Sequence, residues 1–372
     1  MDSQEEKVLT YRFSWDYEEL HDFYNLVLAG SNDRHWIREV RIKGTTSEFD
    51  HKNMLDDAFI QLRQLRKVQV LDDKDMVGVN KYVRRDVSLR IMGLVMQALV
   101  QRANDYHFQR DSPRINTLKF ERVYWPLFSP ITRASKLAIF PFLQHLDLTF
   151  EPNPDLSPES EQSYWHEELG IVLKECSRLK TLTLRFGRPP VRMAQAYTKD
   201  EIILPPNFRT LVGNTHFREL EELTLERVVL DHEFAVDFFS MHANTLQVVN
   251  LISLWNGCDI AYSGSPIHEI LIAMRLKDVQ FRGKWYEYIP LGDSENVWFE
   301  PKVIWDDACR PNLTSMMRRE LEILQKGGNP QARLPQASQP PIVRQTMWQN
   351  ISKCCKKFFK EKIRRKRDDG LA

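Results

Sequence analysis

One short pattern of apolar and polar positions recurs along most of this chain: an apolar residue, two variable residues, an apolar residue, one variable residue, an apolar residue. It reads Ile37–Val40–Ile42, Leu65–Val68–Val70, Ile115–Leu118–Phe120, Leu143–Leu146–Leu148 and Leu179–Leu182–Leu184. It continues as Leu220–Leu223–Leu225, Leu246–Val249–Leu251 and Leu276–Val279–Phe281. Between these units lie stretches with helical spacing. One is Leu20, Phe23, Tyr24, Val27 and Leu28, and another runs from Leu89 through Leu94, Val95, Leu99 and Val100. Trp165, Leu169, Val172 and Leu173 form a third, and Phe234, Phe238, Phe239 and Met241 a fourth.

A short strand followed by a helix, repeated with this spacing, is the signature of an α/β leucine-rich-repeat solenoid. The pattern predicts about eight strand-helix repeats over residues 1–285, with parallel strands on the concave side and helices on the convex side. The first apolar positions step by 28, 50, 28, 36, 41, 26 and 30 residues, whereas the repeat usually takes ~20–29. Two of the longer steps hold surface loops: the acidic, Pro- and Ser-rich stretch 151–163, and 187–207, bracketed by proline pairs. Both are places where binding residues gather.

After Phe281 the repeat stops. Trp285–Ile289 and Val297–Val303 flank a GDSEN turn and predict a hairpin, and a helix is expected over Leu313–Gln325. Residues 286–326 therefore read as a C-terminal cap on the open end of the array. Residues 327–347, rich in Pro, Gln and Ala, read as a flexible linker. Residues 348–372 form a basic tail, disordered or helical.

In each unit the apolar residues point inward, and alternate residues point out of the concave face. The outward row contains Glu39, Arg41, Lys43, Lys67, Gln69, Lys119, Glu121, His145, Asp147, Arg185, Glu222, Glu226 and Asn250, the expected partner-binding residues. Thr117, Thr149, Thr181, Thr183, Thr224, Asp278, Gln280 and Arg282 share the same positions. Trp125 and Trp255, just past two strands, are either interface anchors or packed beneath the loops.

Charge adds a second candidate. The 372 residues carry a formal charge of +1, yet Lys353–Arg367 holds nine basic residues and one acid, a net +8 that leaves −7 for the rest. In the tail, Trp348, Ile351, Cys355, Phe358, Phe359 and Ile363 fall near helical spacing among the basic residues. Such a basic amphipathic segment suits an anionic membrane or an acidic partner. Lys362, Arg364, Arg365, Lys366 and Arg367 also resemble a nuclear-import patch. Cys354 and Cys355 are candidate palmitate acceptors. Nucleic-acid binding by such a tail would be electrostatic and without sequence preference.

Other signals narrow the class. Five cysteines without a CxxC pair suit reduced thiols, and the first residues lack the order of a secretory signal, so a cytoplasmic or nuclear protein is expected. There is no GxxxxGK[ST], GxGxxG after a strand, HExxH or GxSxG. The reading is a non-enzymatic protein-protein interaction module, with no catalytic residue, cofactor or metal. The alternative is a membrane-associated or nuclear scaffold acting through the tail.

Residues 219–251 resemble the repeats of fungal F-box/leucine-rich-repeat-like proteins. In these a strand is followed by a Phe-rich helix, a His, and a Thr-Leu pair opening the next strand. The matching residues are Phe238, Phe239, His242, Thr245 and Leu246, and the likeness extends weakly over about 110–285. The resemblance implies a substrate-recruiting adaptor of a cullin-type ubiquitin ligase. It also implies a structural place for His242 at a helix end. The family's F-box typically opens on a Leu-Pro pair; residues 1–50 hold none and already include the first repeat. A free-standing recognition module is therefore expected.

Overall fold

The computed structural model describes residues 9–29, 32–44, 52–72, 79–106, 114–129, 138–151, 153, 156, 160, 164–187, 206–255, 271, 274, 276–291, 298–306 and 312–326. The chain divides into two compact units, Met1–Glu322 and Ile323–Ala372. The expected linker, the tail with its basic patch, and most of both predicted loops lie outside the described residues.

The first unit is an α/β structure built on a nine-stranded parallel sheet. Its strands are β1 (Leu9–Ser14), β2 (Ile37–Lys43), β3 (Lys67–Leu71), β4 (Thr117–Val123), β5 (His145–Phe150), β6 (Thr181–Phe186), β7 (Glu222–Glu226), β8 (Val248–Ile252) and β9 (Asp278–Arg282). Each strand pairs with the next in sequence, so the order is sequential from one edge to the other. The helices are α1 (Tyr17–Leu28), α2 (Lys52–Gln61), α3 (Lys81–Tyr106), α4 (Gly170–Glu175), α5 (Phe208–Val212), α6 (His232–Met241) and α7 (Asn312–Gln325). A separate antiparallel hairpin pairs β10 (Lys284–Leu291) with β11 (Trp298–Asp306), as the pattern around GDSEN predicts.

The register explains the repeat. Val40, Val68, Leu118, Leu146, Leu182, Leu223, Val249 and Val279 align across consecutive strands. All eight are buried, as is the next inward row from Ile42 to Phe281. These rows join the apolar sides of the helices in one core, to which α1 contributes Leu20, Phe23 and Val27. Burying each such side chain is worth about 1.5–3 kcal/mol, so the rows are the main source of stability.

Local chemistry starts the helices. Asp16 caps α1 by accepting from the amide of Glu19 at 3.0 Å, and Asp231 caps α6 by accepting from the amide of Phe234 at 3.1 Å. The 50-residue step between the second and third units is filled in part by α3, which is 26 residues long.

The structure corrects the strand count from eight to nine. The extra strand is β1, whose Tyr11 and Phe13 align with Val40 and Ile42. Tyr11 puts an aromatic ring where the other strands have Val or Leu, and the Tyr11 and Phe13 rings lie 5.0 Å and 4.7 Å from that of Phe23. Helices α2 and α5 are also additions to the elements read from spacing. Trp125 and Trp255 are buried core residues, with Trp125 stacked on Phe150 at 4.9 Å.

A backbone feature recurs where strands end. Arg227, Ser253 and Gly283 follow the aligned residues Glu226, Ile252 and Arg282, and all have positive φ (54°, 50° and 74°). Arg122, at the register shift in β4, does the same with φ 60°. The turn keeps the ladder going: the amide of Arg227 donates to the Ile252 carbonyl at 2.9 Å, and that of Ser253 to Arg282 at 2.8 Å.

Candidate functional site

Parallel sheets are usually covered on both faces. Here the core covers one face, and the other presents polar side chains in cross-strand rows. One row runs Thr10, Glu39, Lys67, Thr117, His145, Thr181, Glu222, Val248, Asp278. The next runs Arg12, Arg41, Gln69, Lys119, Asp147, Thr183, Thr224, Asn250, Gln280. A third holds Thr149, Arg185, Glu226, Ile252 and Arg282. The sequence-predicted residues are thus gathered on one face, most of them half-buried against their neighbours.

Two members depart from the expectation of exposure. Gln69 and Thr183 are buried, Gln69 because its amide nitrogen donates to Glu39 Oε1 at 2.6 Å. Thr10, Arg12, Lys43, Glu222 and Arg282 are the exposed ones.

Glu39 organises the first three strands. Its carboxylate meets Arg41 Nε at 2.6 Å and Lys67 Nζ at 3.3 Å, and accepts from Thr10 Oγ1 at 3.2 Å as well as from Gln69. Burial pushes this carboxyl up, but the hydrogen bond from Arg41 and the charges of Lys67 and Arg41 outweigh it. Glu39 therefore titrates below its usual range. The cations nevertheless outnumber it: Arg12, Arg41, Lys43 and Lys67 stand against one acid on these outward positions.

A chain of ion pairs crosses the middle of the face. Lys119 meets Glu121 at 2.8 Å and Asp147 at 3.8 Å, and Asp147 meets Arg185 at 2.7 Å. Arg185 lies 3.9 Å from Glu226, which pairs with Arg227 at 2.7 Å. His145 shares a hydrogen bond with Thr181 Oγ1 at 3.0 Å, and burial holds its imidazole below the usual range. On β8 the face is neutral, with Asn250 donating to Thr224 Oγ1 at 3.1 Å. At the far edge Asp278 is gripped by Arg318 of α7 at 2.9 Å and by Gln280 at 2.8 Å.

Partly exposed ion pairs of this kind contribute about 0–1 kcal/mol each, so they do little to hold the fold. Their effect is to hold these long side chains in one arrangement. Arg12, Arg227 and Arg318 belong to this surface and escaped the sequence pattern. Arg12 sits in the unrecognised strand, Arg227 one residue past a strand, and Arg318 on a helix.

Among the described residues no three His, Cys, Asp or Glu side chains gather to hold a metal ion. Cys176 is buried, donates to the Val172 carbonyl at 3.2 Å, and has its thiol pushed far up by burial. His242, the histidine singled out by the repeat resemblance, is buried at the end of α6 and bonded on both nitrogens to backbone. Among the described residues no helix is long and apolar enough to cross a membrane. No protein-family model matches the chain, and no curated protein matches it.

Proposed function

We propose that the chain is a leucine-rich-repeat solenoid that works as a non-enzymatic recognition module, capturing a protein partner on the polar face of its parallel sheet. The observation that carries this reading is the continuous, in-register polar face from Thr10 to Gln280, which among the described residues meets a helix only at its far edge, through Arg318, and is fixed by cross-strand ion pairs. A parallel sheet kept open on one side is what a solenoid uses for extended binding. The resemblance of residues 219–251 to F-box/leucine-rich-repeat proteins extends the reading to the recruiting half of a ubiquitin-ligase adaptor of the cullin type.

The test is affinity purification of the tagged chain with mass spectrometry. The native protein is compared with a variant reversed at Arg41, Lys67 and Lys119. A control reversed at Arg63 and Lys174, both outside the face, accompanies them. Proteins lost from the face variant and retained by the control support the reading; identical sets in all three sink it. Recovery of the cullin-ligase linker would support the adaptor role.

A second reading rests on the nine basic residues of Lys353–Arg367: a scaffold brought to a membrane or the nucleus by its tail. Deletion of 348–372 then shifts the protein to the soluble cytoplasmic pool, and an unchanged distribution removes this reading.

A further inference from the structure

The two edges of the nine-stranded sheet are finished differently. On β9 the amides that point away from β8 are both taken by side chains. Val279 donates to Asp278 Oδ1 at 2.9 Å, and Phe281 donates to Thr314 Oγ1 at 2.9 Å. The Thr314 hydroxyl also donates to the Phe281 carbonyl at 2.9 Å, so α7 closes that edge.

On β1 the amide of Trp15 donates to the Lys43 carbonyl at 2.8 Å, which directs the odd-numbered residues of the strand toward β2. The even-numbered residues then face outward. Ser14 is capped there by Glu19 Oε2 at 2.6 Å. The outward backbone groups of Thr10 and Arg12 have no partner among the described residues. An edge with free N–H and C=O groups is a template for another strand.

Side chains on the two sides of this edge state what that strand must carry. On the polar side Arg12 is exposed and has no ion pair among the described residues, and Arg41 lies next to it in the register. On the core side Tyr11 and Leu9 are only partly buried, beside Glu19 and Asp22, whose charges act with burial to raise the Tyr11 hydroxyl. Acidic residues fit the first side and are repelled by the second, where apolar residues fit. Strand residues alternate between the sides.

We infer that β1 is a docking edge for an extended segment of a partner protein that alternates acidic and apolar residues, added as a tenth strand by backbone pairing. A second copy of the chain is the poorer occupant, because antiparallel pairing of β1 with itself brings two Arg12 guanidiniums to the same side. The inference is independent of the ion-paired middle of the face.

The test uses the full chain and a capped synthetic peptide of alternating valine and glutamate, followed by fluorescence anisotropy. The peptide binds, and N-methylation throughout its backbone weakens binding about tenfold or more, since main-chain hydrogen bonds supply the affinity. Arg12→Glu weakens it to a similar degree. Thr10→Pro removes the outward amide at an edge where proline is tolerated and does the same relative to Thr10→Val, which like it lacks the hydroxyl bonded to Glu39, while the circular-dichroism melts of these two variants stay alike. Reversal at Lys119 and Arg185 leaves the affinity unaltered, which separates this edge from the proposed face. Equal binding of the methylated peptide, indifference to Arg12→Glu, or no binding of the plain peptide overturns the proposal. So does self-association of the free chain that Thr10→Pro abolishes, since the occupant is then a second copy.

Discussion

A Cβ on Gly283 would collide with the side chain of Ser253, whose Cβ lies 3.3 Å from that point and whose hydroxyl is closer still. The two residues occupy the same left-handed step at the ends of neighbouring strands, and only one of them has room for a side chain. Gly283→Ala therefore costs the ~1–2 kcal/mol of a left-handed L-residue plus the collision. Adding Ser253→Gly removes the collision and the strain at Ser253 itself, so the double variant unfolds at higher denaturant than Gly283→Ala alone. Equal midpoints for the two would refute this coupling.

His242 ties the end of α6 to the segment before β7. Its Nδ1 donates to the Phe238 carbonyl at 2.7 Å, and its Nε2 accepts from the Phe217 amide at 3.1 Å. That pair of bonds requires the neutral ring, and burial lowers its pKa, with His216 adding to the shift. The unfolded chain takes up a proton at about pH 6.5 and the folded one only at lower pH. Stability from this group is thus complete above about pH 6.5. It falls as the pH drops from there toward the folded value. His242→Gln flattens that acid limb in a series of thermal melts across pH, whatever its effect at neutral pH. Parallel curves for the two proteins would show that other groups set the acid limb.

Much of this was legible because the sequence pattern and the sheet register obey the same rule. Leu146, Leu182 and Leu223 recur at one place in the motif because they occupy one place in the ladder. β1 carries the pattern less plainly, because Tyr11 stands where every other strand has Val or Leu. Val8, Tyr11 and Phe13 nevertheless keep the spacing of the other units. The face itself was legible as alternation, but its order was not. Whether Asp147 meets Lys119, Arg185 or both depends on neighbours 28 and 38 residues away, which strand pairing decides. The burial of Gln69 has the same origin, since its partner Glu39 lies on the adjacent strand.

Thr314 serves one β9 residue twice, accepting from the amide of Phe281 and donating to its carbonyl. Thr314→Val keeps the shape and removes both bonds to this buried residue. The expected loss is about 1–3 kcal/mol, read from denaturant unfolding, while Thr314→Ser retains most of the stability. A valine variant as stable as the native chain would mean that water or another group closes this edge.

The ion-pair chain across the face has a direction, which exchange of its central partners exposes. Asp147 stands between Lys119 and Arg185, and Arg185 between Asp147 and Glu226. Asp147→Arg alone sets three cations side by side, and Arg185→Asp alone sets two acids beside Glu226. Combining them restores the central pair but leaves Arg at 147 facing Lys119 and Asp at 185 facing Glu226. A double-mutant cycle therefore shows a coupling of roughly 0.5–1 kcal/mol, with the swapped chain still less stable than the native one. Added salt shrinks the residual deficit, because the remaining contacts are repulsions between partly exposed charges. Full recovery by the swap would mean that the flanking charges act too weakly to orient the chain.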